Sequence, residues 1–142
     1  MILVDANLLI YAKIAEMPDH ERSRRWLDDR LNGSGSVGLP WQSLLAFVRI
    51  TSNRKLFSHP LPVKEAWRQV EEWIDCAPAW TPTESAKHQE LLATLISSDL
   101  KPNDIPDANL AAIAIGHGLE LCTTDSGFAR FNGLRWRNPL KN

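Results

Sequence analysis

Three aspartates stand where short apolar runs meet the start or approach of a helix. They are Asp5 in Met1-Ile-Leu-Val-Asp5-Ala-Asn7, Asp107 in Ile105-Pro-Asp107-Ala-Asn-Leu, and Asp125 in Leu121-Cys-Thr-Thr-Asp125-Ser-Gly. Carboxylates crowded at one place repel one another and raise each other's pKa values. A hard cation such as Mg²⁺ or Mn²⁺ relieves that repulsion through oxygen ligands while keeping several waters. The chemistry best served is attack on a phosphodiester, because a bound cation polarises the phosphoryl oxygen, activates water and orients the leaving group. Each residue also has a purely local reading. Asp5 can N-cap the helix after it. Asp107 can pair with Asp104, three residues earlier, in an acidic variant of a capping box. Asp125 in Asp-Ser-Gly can close a side-chain turn.

Convergence depends on the elements that carry these residues. Residues 1–4 form a continuous apolar run suited to a buried parallel strand. Residues 7–14 and 19–31 read as helices, the first with Leu8, Leu9, Tyr11 and Ala12 inward. Gly33-Ser-Gly-Ser36 breaks the chain before a second short strand over 37–39 and a helix over 41–51. Pro62 opens a further helix in which Val63, Ala66, Trp67, Val70, Trp73 and Ile74 keep the i, i+3, i+4, i+7 rhythm of one buried face. Residues 78–82 suggest a third strand, and Thr83 is expected to cap a helix through Leu95 and Ile96. The apolar stretch 110–115 predicts a buried helix ended by Gly116 and Gly118. A fourth strand follows over 119–123 and a fifth over 134–136. Strands alternating with helices predict one α/β domain over 1–142, with helices flanking a mainly parallel central sheet.

That order makes the aspartates neighbours. Asp107 opens a helix, and about ten helical residues span roughly 15 Å. The strand leading back to Asp125 covers roughly 20 Å in about six residues. Asp125 therefore returns to the level of Asp107. If the first and fourth strands are parallel, Asp5 joins them at the carboxyl edge, where open α/β sheets place their ligands.

Composition narrows the alternatives. A chain of 142 residues, 44% hydrophobic and 23% charged, has the make-up of an ordinary globular domain. No run approaches the roughly 18 apolar residues a membrane span requires, and the N-terminus lacks a basic region followed by an apolar stretch. A cytoplasmic protein without a membrane partner is expected. Cys76 and Cys122 lack a CxxC partner, and His20, His59, His88 and His117 show no ligand spacing, which argues against zinc or histidine chemistry. The net charge of −1 hides segregation: residues 31–64 and 126–142 contain no acid, whereas 65–75 carry Glu65, Glu71, Glu72 and Asp75 against only Arg68. Arg54, Lys55, Arg130, Arg135 and Arg137 are the better phosphate-contact candidates, and Arg49 could reach phosphate or anchor a site carboxylate. Trp26, Trp67 and Trp73 fall on apolar helix faces and are expected in the core.

Taken in order along the chain, several motifs resemble PIN-domain nucleases. The opening is Ile2-Leu-Val-Asp5-Ala-Asn7, and the C-terminal half carries Asp107-Ala-Asn-Leu-Ala-Ala and Thr123-Thr-Asp125-Ser-Gly-Phe-Ala-Arg-Phe. Pro40-Trp-Gln-Ser-Leu-Leu-Ala-Phe-Val-Arg49 and Leu134-Arg-Trp-Arg-Asn-Pro139 narrow the resemblance to VapC-type toxins. It implies a Mg²⁺-dependent endoribonuclease that acts on RNA, homodimerises and is inhibited by a VapB-type antitoxin. Asp5 and Asp107 would be the principal metal ligands, Asp125 would complete the cluster, and Thr124 and Asn7 would support it. One departure stands out. The family usually carries a further acid on the helix that begins near Trp41, where this chain has only Gln42. An amide offers a carbonyl oxygen without charge. Asp104 is a candidate substitute. A catalytically weak PIN scaffold that binds antitoxin or RNA is therefore the alternative. A receiver-like phosphoacceptor lacks its expected acceptor aspartate and late lysine.

Overall fold

The computed structural model describes residues 1–141. Its five strands are β1 (Ile2–Val4), β2 (Val37–Gly38), β3 (Ala79–Trp80), β4 (Glu120–Cys122) and β5 (Trp136–Arg137). They form one sheet in the order β3-β2-β1-β4-β5, and every pairing is parallel. Six helices make the crossovers: α1 (Ala6–Lys13), α2 (His20–Leu31), α3 (Trp41–Thr51), α4 (Val63–Ile74), α5 (His88–Leu95) and α6 (Ile105–His117). None of these helices is long and apolar enough to cross a membrane.

Alternation along β1 sends its side chains to two cores. Ile2 and Val4 pack with Leu8, Leu9, Leu27, Leu44, Phe47 and Val70. Leu3 packs on the other face with Leu110, Ala111, Leu121 and Phe128. Burying each such large aliphatic side chain stabilises the fold by about 1.5–3 kcal/mol before its entropy is counted. The small residues of α6, with Ala108, Ala111, Ala112 and Ala114 all buried, let that helix lie close to its neighbours.

Register carries the functional consequence. Leu3 pairs with Leu121 and Val4 with Cys122, and the Asp5 N–H donates to the Cys122 carbonyl at 3.0 Å. Central β1 and its neighbour β4 therefore end at the same level. The parallel arrangement expected for these strands is present.

Local details depart from expectation at three points. Thr83 caps no helix: α5 starts at His88, and the Thr83 carbonyl instead accepts from His117 Nε2 at 2.6 Å. Gly116 lies inside α6, where an added Cβ would come within 2.5 Å of Ser85 Oγ. Termination falls to Gly118, whose φ of 67° lets its N–H reach the Ala114 and Ile115 carbonyls. Trp67 is 39% exposed and stacks on Trp41 with centroids 6.0 Å apart, whereas Trp73 is buried against Phe47. Both follow the same helical rhythm, and only the placement of α3 separates them.

Candidate active site

Asp5 leaves β1 with extended backbone angles and becomes the N-cap of α1, its Oδ1 accepting the Ala6 N–H at 2.7 Å. The cap reading is thus correct, and it also aims the carboxylate. Oδ2 accepts from Thr123 Oγ1 at 2.7 Å and from Asn7 Nδ2 at 3.4 Å. Burial raises the Asp5 pKa above its ordinary value, and the Thr123 and Ala6 hydrogen bonds oppose that rise. The negative charges of Asp107 and Asp125 push it further up, so the three carboxylates share one electrostatic neighbourhood.

Thr123, rather than the expected Thr124, is the threonine whose side chain supports Asp5. Its hydroxyl donates to Asp5 and accepts from Asn7 Nδ2 at 3.2 Å and from the Asp125 N–H at 3.1 Å. One donor and two acceptor sites are then fully used. Thr124 contributes through its backbone, the N–H reaching Asn7 Oδ1 at 3.4 Å. The signal in the residues is a hydroxyl directly after the apolar strand, but periodicity does not choose between adjacent threonines, and only the structure shows Thr123 fully buried.

Asp107 projects from the first turn of α6, outside the Asp5 network. Its Oδ2 accepts from Arg130 Nη2 at 3.1 Å, and the same nitrogen stands 3.3 Å from Asp104 Oδ1. Burial is again the chief cause raising the Asp107 pKa; Arg130 opposes it, while Asp125 and Asp104 add to it. Asp104 does not box with Asp107. Its Oδ2 accepts the Lys101 N–H at 2.9 Å and closes the 3₁₀ turn Pro102–Asp104 that precedes α6.

Asp125 caps the 3₁₀ turn Ser126–Arg130 by accepting the Gly127 N–H at 2.8 Å, so its side-chain turn is also real. Its carboxylate is exposed beyond β4. Gln42 faces the start of α6. Its Nε2 donates to the Pro106 carbonyl at 2.6 Å and its Oε1 accepts from Asn109 Nδ2 at 2.7 Å. The backbone carbonyl can only accept, which orients the amide. Asn109 Oδ1 in turn meets His88 Nε2 at 2.8 Å. Gln42 therefore spans α3 and the residues flanking Asp107.

Among the described residues no group of three or more His, Cys, Asp and Glu side chains is arranged to hold a metal ion by itself. The donors nonetheless suit a hard cation that takes one or two carboxylates and retains its waters. Asp5 and Asp107 are oxygen donors whose charge is unfavourable where they stand, a penalty that a cation would remove.

The basic candidates divide. Arg49 and Arg54 are exposed and make no ion pair among the described residues. Arg130 is engaged by Asp104 and Asp107, Arg137 pairs with Glu120 at 3.2 Å, and Arg135 donates to the Gly118 carbonyl. A cavity of about 410 Å³ between α2 and α4, lined by Lys13, Arg24 and Glu72 among others, contains none of the candidate acids. Those acids occupy the carboxyl edge of the sheet instead.

Fold and site together define an α/β domain with an acidic rim beyond the ends of parallel strands. Residues 2–134 match the PIN domain, and the chain belongs to that family. It is 39% identical over 140 residues to the ribonuclease VapC37 of Mycobacterium tuberculosis, covering 98% of this chain and 97% of that protein. The fold also resembles VapC20 of Mycobacterium tuberculosis, described as a toxin that cleaves the sarcin–ricin loop. That match has a TM-score of 0.68 at 15% identity and covers 95% of this chain and 99% of that one. VapBC2 of Rickettsia felis, solved with a promoter DNA fragment, matches with a TM-score of 0.63 at 15% identity, over 96% and 98% of the two chains.

Proposed function

We propose that this chain is a metal-dependent endoribonuclease, the toxin of a type II toxin–antitoxin pair, with Asp5, Asp107 and Asp125 as its catalytic acids. The observation that carries the reading is geometric: the β1–β4 register sets Asp5 and Asp125 around the Thr123 hydroxyl at the carboxyl edge of a parallel sheet, and Arg130, from the turn after Asp125, reaches Asp107. Near-full-length similarity to a curated ribonuclease supports the substrate class.

Asp5 and Asp107 would hold Mg²⁺, with Mn²⁺ as a substitute, and Asp125 would complete the set directly or through water. When bound, the cation polarises a phosphoryl oxygen and lowers the pKa of water. The protein's own groups do the rest. Thr123 and Asn7 keep the Asp5 carboxylate oriented with one oxygen directed away from the Ala6 cap. Gln42 and Asn109 brace the turn that carries Asp107. Arg49 and Arg54 offer exposed charge to the RNA backbone, and Arg130 adds charge at the rim itself. A VapB-type antitoxin is the proposed inhibitor, in keeping with the VapBC2 structure that this fold resembles. The exposed Trp41, Leu45, Val63 and Trp67 of α3 and α4 provide an apolar surface for homodimerisation. A cytoplasmic location belongs to the same proposal, since RNA and a VapB-type antitoxin would be met there.

The deciding experiment is cleavage of total RNA by purified protein with Mg²⁺ or Mn²⁺. EDTA or Asp5→Ala should abolish it, and activity that survives either treatment refutes the metal mechanism. A second reading, a PIN scaffold that binds without efficient turnover, is favoured by Gln42 standing where no carboxylate is available. Metal-stimulated cleavage no faster than that of Asp5→Ala, with RNA or antitoxin binding intact, would select it.

A further inference from the structure

Arg130 is held more firmly than a surface arginine waiting for substrate. On one side its Nη2 lies 3.1 Å from Asp107 and 3.3 Å from Asp104. On the other, Nη1 donates to the Gly127 carbonyl at 2.5 Å, and the guanidinium carbon sits 4.6 Å from the Phe131 ring centroid. The side chain is 33% exposed, in keeping with a guanidinium covered on several sides. Glycine at position 127 leaves the room in which the Arg130 guanidinium lies against the turn. An added Cβ would stand 2.6 Å from Arg130 Nη1 and 2.9 Å from Asp125 Oδ1. The turn after Asp125 thus returns a permanent positive charge to Asp107.

We propose that Arg130 is a built-in counter-cation, neutralising the Asp104–Asp107 pair in the metal-free protein and competing with a divalent ion for Asp107. The inference rests on the metal reading above. Arginine keeps its charge at any working pH, so nothing but displacement removes it. Its planar donors suit carboxylates, and the geometry here uses one nitrogen for two of them. An ion held at Asp107 would take the place of this contact, and the released guanidinium would remain at the same rim, available to a substrate phosphate. Arg130 thereby lowers metal affinity while keeping the empty site from accumulating unbalanced negative charge.

The test is calorimetric titration of the full chain with MnCl₂ in the absence of RNA, using Asp5→Ala to define heat specific to the site. Arg130→Gln removes the charge and keeps hydrogen-bonding capacity, and should bind Mn²⁺ about tenfold more tightly. Arg130→Lys keeps the charge and should stay within about threefold of the native chain. Equal or weaker binding by Arg130→Gln overturns the competition while leaving the metal reading intact. Absence of any Asp5-dependent Mn²⁺ binding in all three proteins overturns both. A second measurement avoids substitution: Arg130 guanidinium resonances, observed by ¹⁵N NMR, should shift and lose restriction at saturating Mg²⁺. A guanidinium unmoved by bound Mg²⁺ refutes the proposal directly.

Discussion

The tripeptide Asp-Ala-Asn occurs twice at the candidate site, as Asp5-Ala6-Asn7 and Asp107-Ala108-Asn109, with different outcomes. Asp5 precedes its helix, so its carboxylate is partly occupied in capping α1 and otherwise turned toward Thr123. Asp107 lies inside the first turn of α6, caps nothing, and projects to a guanidinium. The two asparagines diverge in the same way. Asn7 joins α1 to the end of β4, and Asn109 joins α6 to Gln42 and His88. Identical residues thus build a buried, neutral-partnered arm and a more exposed, ion-paired arm. The difference follows from what precedes each tripeptide: a central strand in one case, a 3₁₀ turn in the other.

The strongest way to break the comparison is to remove each acid. Asp5→Ala and Asp107→Ala should each lower RNA cleavage by at least about a hundredfold, since loss even of groups supporting metal ligands costs about 10–100-fold. If only Asp5 proves essential, the two arms are not equivalent partners in one site. Thr123→Val tests the buried arm next. It removes the donor to Asp5 and leaves the Asn7 amide and Asp125 N–H short of an acceptor. Activity should fall about 10–100-fold and chemical denaturation should reveal a loss of about 1–3 kcal/mol. Thr124→Val, with no side-chain role in this network, should change both far less.

Gln42→Glu probes the exposed arm and has an outcome opposite to that expected from simply restoring an acid. An ionised glutamate cannot donate to the Pro106 carbonyl. The substitution should therefore destabilise the fold by about 1–3 kcal/mol without increasing turnover. A sharp rise in cleavage would show instead that the brace is dispensable and a ligand was missing.

The smallest effect is the pH dependence of the Asp5 arm. Asp5 has a raised pKa in the folded chain, so the native state holds that proton more tightly than the unfolded state. Its contribution is neutral below the ordinary value of 3.8 and increasingly unfavourable as pH rises toward the folded value, then constant. Asparagine does not titrate. The melting temperature of Asp5→Asn relative to the native chain should accordingly increase across that window and level off above it, measured in metal-free buffer. A flat difference would mean that burial does not penalise the Asp5 charge.

Much of this organisation is legible in the residues. The apolar run 1–4, the Pro62 entry to α4 and the apolar centre of α6 identify the alternating elements, because burial and backbone restriction act locally. The carboxyl-edge position of Asp5, Asp107 and Asp125 follows from element lengths. Less was accessible where a choice depends on the partner. Thr123 and Thr124 have the same propensities, and Trp67 has the periodicity of a core residue. Thr83 is a good cap residue without a helix to cap.

Sequence alone determined the alternating α/β order, the family resemblance and the fall of three aspartates at element ends, since strand length, helix length and turn residues constrain where each can lie. Tertiary structure decided their states. Only the β1–β4 register puts the Thr123 hydroxyl on Asp5, only the placement of Gln42 on α3 beside the first turn of α6 makes it a brace, and only the fold-back at Gly127 puts Arg130 on Asp107. Each of these contacts joins residues whose partnership depends on distance and direction in space, and no local propensity encodes either.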